Sequence, residues 1–432
     1  MEQDRLKVFI IAYACEPYKG SEGGIGWNIV NKLAQFHEVH VLTRANNRQP
    51  IEEFYQDKAG AKPVFHYYDL PRWLMFWKKK RRGYRFYYYL WLYFSYFSHQ
   101  KMVRESGFDI IHHLTFAQDS TPDLFVAYNA GKAKTIWGPV GSCDTQQYIR
   151  KSMPVPVKIK EFLRKFAKSM LTNLNLARIF TEIRADLLIA YPQEKSAVPF
   201  RKRHHGQLIF YPQTGINVDD PEYDLPEKVF PERGTRLLIC SEFMHWKGCT
   251  FAAEAFSRLA QSRLDVTLDI LGAGPEEKNM RRIFARYHVE NRVRFHGIVP
   301  KQIMMFYLHS ADVLLYPSYH HGLATIILQA MWAKLPIIAL KGDFIATAVA
   351  EGAGLCADGN TLDEAIADIV VKAGKLLDDK TMRQSMGKRG RELIKTKYSW
   401  DVLVAGMDHI YRQLIAGRPF EEYTDYSDYG RK

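Results

Sequence analysis

The stretch YPSYHHGLATIILQAMWAKLPIIAL, residues 316–340, determines the fold that the sequence predicts. It follows the apolar run 313–315, which predicts a buried parallel strand, and it contains a turn at residues 320–322. Apolar residues at helical spacing predict a helix over 324–333, and a second buried strand follows over 335–340. Such a strand-helix-strand unit directs backbone N–H groups and the positive end of a helix at the space above the sheet. The sequence therefore predicts an anion site there, and a diphosphate is the expected ligand.

The same alternation of strands and helices occurs in both halves of the chain. Strand-like runs in the first half are 7–14, 37–44, 108–115, 135–141 and 185–190, and those in the second half are 236–240, 264–271, 293–295 and 311–316. Between them, residues 218–234 are rich in Pro, Asp and Glu, as expected of a linker. The pattern predicts an α/β protein with two doubly wound, Rossmann-like domains, 1–217 and 235–400, a further helix over 401–417 and a tail over 418–432.

The composition is that of a globular protein with a basic surface. The chain has 432 residues, of which 47 % are hydrophobic and 25 % are charged, so it is long enough for two domain cores. Its net charge of +13 leaves three classes of partner open: nucleic acid, an anionic membrane surface and phosphorylated substrates. No helix-turn-helix, zinc-finger or RNA-recognition motif is present, so nucleic acid is not expected.

The cysteines and the amino terminus indicate the compartment. Five cysteines occur singly and without a C-x-x-C spacing, which is typical of a reducing environment: Cys15, Cys143, Cys240, Cys249 and Cys356. The first residues resemble a strand rather than a signal peptide, and no apolar run is long enough for a membrane span. A cytoplasmic protein, peripheral at the inner face of the cell membrane, is expected.

A glycine-rich segment follows the first strand. Residues 20–26 contain four glycines, which would let a loop adopt positive φ and approach a ligand closely, and a helix is predicted from Asn28 to Phe36. The spacing is not that of a G-x-G-x-x-G dinucleotide fingerprint. A plain tight turn is the alternative interpretation.

A basic and aromatic segment occupies residues 70–100. Five consecutive cations, from Lys78 to Arg82, precede an aromatic run over 84–97 that is long enough for a helix. Aromatic residues beside cations are typical of anchoring to an anionic membrane surface, and the basic, amphipathic run 151–168 could extend this region. The alternatives are a helix that packs its aromatic face on the sheet, with the cations in an exposed loop, and a nucleic-acid site.

His112 and His113 lie near the carboxyl end of the strand over 108–115, where open α/β sheets bind their ligands. Adjacent residues of a strand face opposite sides, so at most one of the two can point into a given crevice, and a metal pair is not expected. No D-x-D pair at a strand end suggests a metal site either.

The motifs together resemble those of the retaining family-4 (group 1) glycosyltransferases. The family pattern P-S-x-x-E-G-x-x-x-x-x-x-E-A-M is similar to residues 317–331, and the chain also shows K-G before a helix, G-x-G-P after a strand, V-x-F-x-G-x-V-P, and D-x-x-H at 109–112. The resemblance covers residues 6–415 and implies a GT-B architecture, in which the two domains face a cleft and the last helix crosses back to the first domain. Three charged positions of the family are replaced: His321 and Gln329 stand where it has glutamates, and Glu242 stands where it has an arginine. Lys334 also replaces a glycine of the pattern, and Leu114 replaces the later His of D-x-x-H-x-H.

The resemblance implies the functional residues. His112, favoured over His113, and His321 would be catalytic, with His112 beside the acceptor or the transferred sugar. The donor-binding residues would be Gly23, Gly24, Lys247, Gly272, Gly274, Gly297, Ile298, Val299, Ser318, Gly322, Leu323, Ala324 and Gln329. Lys247 would bind the donor diphosphate, and Gln329 would bind the ribose hydroxyls through its amide.

The implied activity is transfer of a sugar, with retention, from a UDP- or GDP-linked donor to a hydroxyl of a glycan or lipid-linked acceptor, in cell-surface polysaccharide or lipid-linked glycan synthesis. Neither a metal nor another cofactor is expected. Because three charged positions are replaced, a non-catalytic nucleotide-sugar binder or a scaffold of a polysaccharide assembly is the alternative, and a nucleotide-sugar epimerase is a third interpretation.

Overall fold

Short apolar runs form the parallel strands of two separate sheets. The structure is a computed structural model and describes residues 5–75, 83–129, 132–141, 149, 155–191, 200, 203–223, 234–319, 324–341 and 344–420. The chain divides into two compact units. Unit 1 comprises Met1–Ser142, Ile159–Gln213 and Trp400–Lys432, and unit 2 comprises Cys143–Lys158 and Thr214–Ser399.

The sheet of unit 1 has seven strands among the residues that the structure describes. They are β1 (Lys7–Ala12), β2 (Glu38–Arg44), β3 (Val64–Tyr68), β4 (Ile110–Thr115), β5 (Lys134–Val140), β6 (Leu187–Ala190) and β7 (Gln207–Phe210). All neighbours pair in parallel, in the order β3-β2-β1-β4-β5-β6-β7. Strands β4 and β6 are buried along their whole length. Burial on both faces explains the continuous apolar sequence of β6, whereas β4 also carries the buried His112, His113 and Thr115.

The sheet of unit 2 has six strands within the described ranges. They are β8 (Thr235–Cys240), β9 (Val266–Leu271), β10 (Val293–Gly297), β11 (Val313–Tyr316), β12 (Ile337–Leu340) and β13 (Gly354–Ala357). They are also parallel, in the order β10-β9-β8-β11-β12-β13. Two doubly wound sheets were predicted, and the structure confirms them.

Helices connect the strands of both sheets. They are α1 (Ser21–Leu33), α2 (Arg48–Tyr55), α3 (Tyr84–Glu105), α4 (Leu124–Asn129), α5 (Val155–Leu174), α6 (Leu176–Arg184), α7 (Cys249–Ser262), α8 (Glu277–Arg286), α9 (Lys301–Ser310), α10 (Thr325–Trp332), α11 (Phe344–Ala350), α12 (Leu362–Asp378), α13 (Lys380–Leu393) and α14 (Trp400–Ile415). The last of them, α14, packs its apolar side into the core of unit 1 through Trp400, Leu403, Met407 and Ile410.

The predicted domain boundaries fall partly outside the described residues. Residues 224–233 of the predicted linker and residues 421–432 of the predicted tail are not among them. The boundaries, and the predicted cleft between the domains, stay predictions.

The glycine-rich segment after β1 is a correction to the sequence analysis. The helix begins at Ser21 and not at Asn28, so Gly23, Gly24 and Gly26 lie inside α1. They allow close packing: a Cβ on Gly24 would lie 2.1 Å from the Lys19 carbonyl oxygen, and one on Gly26 would lie 2.1 Å from that of Ala14. The left-handed residues here are Tyr18 in the preceding loop and Ser21 at the first position of the helix, with φ of 60° and 56°, and not glycines.

The aromatic segment forms α3, which is longer than the predicted run. One side of the helix packs on the sheet through Tyr87, Tyr88, Trp91 and Tyr96, as the packed-helix alternative required for these residues. Other aromatic side chains of α3 remain exposed, and Phe97 is 63 % accessible. The cations Lys78 to Arg82 lie outside the described residues.

Candidate functional site

The topology of unit 2 places a crevice between β8 and β11. These strands are neighbours, and the chain continues from β8 toward β9 on one side and from β11 toward β12 on the other. Parallel sheets bind ligands beyond the carboxyl ends of the strands at such a switch point. The turn after β8 carries Lys247, and the turn after β11 carries Ser318.

Backbone and side-chain contacts join these two turns. The Ser318 hydroxyl, which is buried, donates a hydrogen bond to the Trp246 carbonyl oxygen at 3.2 Å, and the Tyr319 N–H donates to the same oxygen at 3.0 Å. Gly248 has φ of 67°, and a Cβ at this position would lie 2.0 Å from the Pro317 carbonyl oxygen. Glycine is therefore required here both for its backbone conformation and for the close contact.

Lys247 places a positive charge at the switch point. Its side chain is half-buried, and Nζ donates a hydrogen bond to the Tyr316 hydroxyl at 3.0 Å. Glu242, the residue that stands where the family has arginine, has an exposed side chain. The arrangement suits an anionic ligand, because a half-buried ammonium interacts with charge more strongly than one in water.

The glycines after β9 and β10 lie at the same edge of the sheet. A Cβ on Gly272 would lie 1.9 Å from the Ser241 carbonyl oxygen, and one on Gly274 would lie 2.7 Å from that of Phe243, so both glycines allow the turns after β8 and β9 to pack together. The Gly272 N–H donates to the Gly297 carbonyl oxygen at 2.7 Å. The donor-binding roles of these three glycines stay predictions.

The turn after β10 exposes an apolar side chain. Gly297 has φ of 69°, Ile298 is 85 % accessible and Val299 is half-buried. The contact of this turn with the base of the donor stays a prediction.

The remaining donor-side predictions lie on or before α10. Ala324 precedes the first residue of this helix. Gln329 is buried, and its Nε2 lies 3.5 Å from the Tyr223 hydroxyl, the outer limit for a hydrogen bond. His321, Gly322 and Leu323 lie outside the described residues, so their roles stay predictions.

The carboxyl edge of the sheet in unit 1 has a polar cluster that the sequence analysis missed. The Glu22 carboxylate accepts hydrogen bonds from the Phe116 N–H and from Nε2 of Gln213, each at 3.3 Å, and the Tyr191 hydroxyl donates to the Gln213 amide oxygen. These residues follow β1, β4, β7 and β6, and the pair β1–β4 is the switch point of this sheet. In the sequence, only the position of Glu22 within the glycine-rich segment could have indicated this polar cluster.

The electrostatics of Glu22 fit a functional carboxylate. The side chain is half-buried, and burial raises its pKa above the ordinary value of a glutamate. Phe116, which donates to it, has a left-handed φ of 59°, a conformation that costs free energy for a residue other than glycine. Perturbed carboxylates beside strained backbone are common at functional sites.

His112 lies in the core of unit 1. Nε2 is 2.6 Å from the Gly138 carbonyl oxygen, to which its N–H donates, and Nδ1 accepts from the Tyr411 hydroxyl at 2.7 Å. Burial lowers the pKa of His112 to about 4, so the ring is neutral at pH 7. His113 has other neighbours, Tyr88 at 2.9 Å and Asp123 at 2.9 Å. The catalytic role of His112 stays a prediction.

Among the residues that the structure describes, no three His, Cys, Asp or Glu side chains converge as metal ligands would. No helix in the same ranges is both long enough and apolar enough to cross a membrane.

Comparison with known proteins relates unit 2 to a family. The family model described as Glycosyl transferases group 1 matches residues 222–393. The chain is 27 % identical over 177 residues to the GDP-mannose-dependent monoacylated alpha-(1-6)-phosphatidylinositol monomannoside mannosyltransferase of Corynebacterium glutamicum, a match that covers 39 % of this chain and 45 % of the relative. The chain spans less than half the length of the first curated relatives it matches.

Solved structures are similar to nearly the whole chain. Sucrose-phosphate synthase from Thermosynechococcus elongatus matches with a TM-score of 0.64 and 17 % identity, over 96 % of this chain and 100 % of the other. Alr3699/HepE of Anabaena, solved in complex with UDP, matches with a TM-score of 0.59 and 13 % identity, over 95 % and 100 %. Together with the two sheets, these similarities confirm the predicted GT-B fold class.

Proposed function

Because the chain belongs to the glycosyl transferases of group 1, we propose that it transfers a sugar from a nucleotide diphosphate sugar to a hydroxyl acceptor, with retention at the anomeric carbon. The observation that carries this proposal is the joined pair of turns at the switch point of unit 2, where Ser318 and Gly248 hold Lys247 at the carboxyl edge of the sheet.

The donor is a UDP- or GDP-linked sugar. The leaving diphosphate gains negative charge as its bond to the sugar breaks, and Lys247 together with the N-terminal end of α10 would stabilise that charge. The turn from Gly297 to Val299 would contact the base, and Gln329 would bind the ribose. The solved complex of Alr3699/HepE with UDP supports a UDP-linked donor, and the GDP-mannose dependence of the Corynebacterium relative supports a GDP-linked donor.

The acceptor binds at the edge of unit 1. In this proposal Glu22 accepts a hydrogen bond from the acceptor hydroxyl, because its carboxylate retains acceptor positions beside those used by Phe116 and Gln213. His112 lies by the acceptor or the transferred sugar. Since Tyr411 and Gly138 engage both ring nitrogens, this role requires that the ring release one of them when substrate binds.

The acceptor class is a glycan or a lipid-linked glycan, in cell-surface polysaccharide or lipid-linked glycan synthesis. The phosphatidylinositol-linked acceptor in the name of the Corynebacterium relative supports a lipid-linked substrate. The protein would then work in the cytoplasm at the inner face of the cell membrane, where the cations from Lys78 to Arg82 would meet anionic lipid.

A panel of UDP- and GDP-linked sugars, assayed for transfer and for slow hydrolysis of the donor, tests the proposal. Turnover of at least one donor that Lys247→Ala abolishes or slows is the expected result. The second candidate is a non-catalytic binder, favoured by the buried Gln329 in place of a glutamate. Such a protein would bind a donor by calorimetry and turn over none, and that outcome would reject the proposed activity.

A further inference from the structure

Helix α5 presents its apolar side to solvent. Large apolar residues recur every three or four positions and are 46–68 % accessible: Ile159, Phe162, Leu163, Phe166, Met170 and Leu174. On a helix this spacing forms one continuous stripe. A surface helix of a globular protein normally turns such a stripe toward the core.

The polar side of α5 faces unit 1 instead. Glu161, Arg164 and Lys168 are only partly accessible, and Nζ of Lys168 lies 2.8 Å from a carboxylate oxygen of the buried Asp119. Arg178 of α6, also buried, donates to the Thr172 carbonyl oxygen at 3.1 Å. An ion pair and a hydrogen bond therefore fix the orientation of the helix, and its apolar side is left uncovered.

The exposed stripe continues onto two neighbouring helices. Leu176, Phe180 and Ile183 of α6, spaced by four and three residues, are also exposed. The hydroxyl of Tyr93 in α3 donates to the Asn175 side-chain oxygen at 3.4 Å, at the junction of α5 and α6. Phe97, one turn along α3 from Tyr93, is exposed as well. We call these accessible apolar residues of α3, α5 and α6 the outer surface of unit 1.

The charge of this surface identifies the partner that fits it. Exposed cations lie on all three helices: Arg85, Lys101 and Arg104 on α3, Lys158 on α5 and Arg184 on α6. Glu105 is the one exposed acid among the described side chains of these helices, and it lies 4.0 Å from Lys101. Amphipathic helices that are rich in cations and aromatic residues bind at the boundary between headgroups and acyl chains of anionic bilayers.

We propose that the outer surface of unit 1 binds an anionic lipid bilayer, with α5 lying in the plane of the headgroups and Phe162 and Phe166 directed toward the acyl chains. The proposal adds a specific apolar contact to the membrane location suggested above, and it does not depend on the cations from Lys78 to Arg82. Membrane binding does not require sugar transfer. The chain could therefore transfer sugar without binding vesicles, or bind vesicles without transferring sugar, and the two measurements test the two proposals separately.

The test uses the full chain and extruded vesicles of phosphatidylcholine with about one third phosphatidylglycerol, compared with vesicles of phosphatidylcholine alone. The double variant Phe162→Ser, Phe166→Ser should lower partitioning onto the anionic vesicles by about tenfold or more, because it removes two inserted aromatic rings. The matched control is Leu264→Ser, Val371→Ser, which removes two apolar side chains of unit 2 with accessibilities of 86 % and 67 %. Its partitioning should equal that of the native chain.

Hydrogen exchange maps the contact. Amides of residues 159–174 should exchange more slowly on anionic vesicles, whereas those of α12 should not change. Three results would overturn the proposal: no binding to anionic vesicles, binding that salt abolishes but the Phe162, Phe166 variant leaves intact, or a lipid-free dimer in sedimentation velocity that this variant converts to a monomer. The last result would assign the surface to a second copy of the chain.

Discussion

The hydroxyl of Tyr411 donates a hydrogen bond to Nδ1 of His112 at 2.7 Å, and both side chains are fully buried although 299 positions separate them. The bond attaches α14 to the central strand β4 of unit 1. It also fixes the tautomer, because Nδ1 accepts from Tyr411 while the Nε2 hydrogen is donated to Gly138.

The buried His112 should make unit 1 sensitive to acid. Its pKa is lowered from 6.5 to about 4 in the folded state, so between these values the unfolded chain binds more protons and the free energy of unfolding falls as the pH falls. The loss attributable to this group should approach roughly 3 kcal/mol near pH 4. Urea unfolding of His112→Gln should show a shallower decline with acid than the native chain. The exposed His205, changed to Gln, serves as the control, and equal slopes for native and His112→Gln proteins would contradict the prediction.

Removing the charge of Lys247 should weaken donor binding. Lys247→Ala deletes an ammonium at the switch point of unit 2, and a charge-assisted hydrogen bond of this kind contributes about 1–3 kcal/mol. Isothermal calorimetry with the nucleotide diphosphate measures the change. Lys388→Ala, at an exposed position on α13, should bind like the native chain. Equal affinity of the Lys247 and Lys388 variants would place the diphosphate elsewhere.

Two glycine substitutions should change the free energy of unfolding in opposite directions. Gly248→Ala places a Cβ 2.0 Å from the Pro317 carbonyl oxygen at a left-handed position, and it should destabilise unit 2 by about 2–4 kcal/mol and weaken donor binding. Gly374→Ala adds a Cβ with open space around it inside α12, and it should stabilise by about 1 kcal/mol. Thermal unfolding of both variants checks the pair. A Gly248→Ala protein as stable as the native chain would show that the two turns are not held together.

Glu22→Gln should raise the stability of the protein near neutral pH and lower its transfer activity. Burial raises the pKa of Glu22 in the folded state, so its ionisation lowers stability as the pH rises through that value. Gln cannot ionise but still offers an oxygen to the Phe116 N–H, so the variant should be more stable at about pH 8, and this advantage should shrink as the pH falls toward the ordinary glutamate value of about 4.3. Transfer should slow by about tenfold to a hundredfold, with donor affinity unchanged. A variant with native activity would remove Glu22 from the acceptor site.

Substitutions of His321 should show whether the donor site works with histidine or has lost activity because the family glutamate is absent. A neutral imidazole can both donate to and accept from sugar hydroxyls, so His321→Ala should lower transfer by about one to two orders of magnitude. His321→Glu restores the family residue but adds negative charge and removes the donor, and we expect it to lower activity. A gain of activity in His321→Glu would indicate a decayed site instead.

The sequence predicted what short-range patterns encode. Buried parallel strands contain short apolar runs, and such runs predict β4, β8 and β11 within a few residues of their observed ends. The turns that contain Lys247 and Ser318 were predicted because glycine and proline mark the places where such strands end. Their convergence follows from the parallel order of the strands.

Contacts between distant residues were beyond the sequence analysis. Glu22 meets Gln213 from 191 positions away, and neither residue type indicates its partner. The sequence analysis predicts a loop at the glycines of α1 because glycine readily adopts positive φ, whereas Gly24 and Gly26 lie in the helix and accommodate the carbonyl oxygens of Lys19 and Ala14. The amphipathic pattern of α5 was recognisable, but periodicity does not reveal which side of a helix faces the protein.

The position of α14 in the core of unit 1 sets an order of events during synthesis. A ribosome completes residues 214–399 of unit 2 before it makes Trp400, Met407 and Tyr411. These three side chains pack in the core of unit 1, together with residues of β1 and β4 that were made much earlier. Unit 2 can therefore fold as it emerges, while the earlier-made unit 1 waits with part of its apolar interior open. A chain that ends after residue 399 and has left the ribosome should therefore be cleaved by protease in unit 1 and resist it in unit 2.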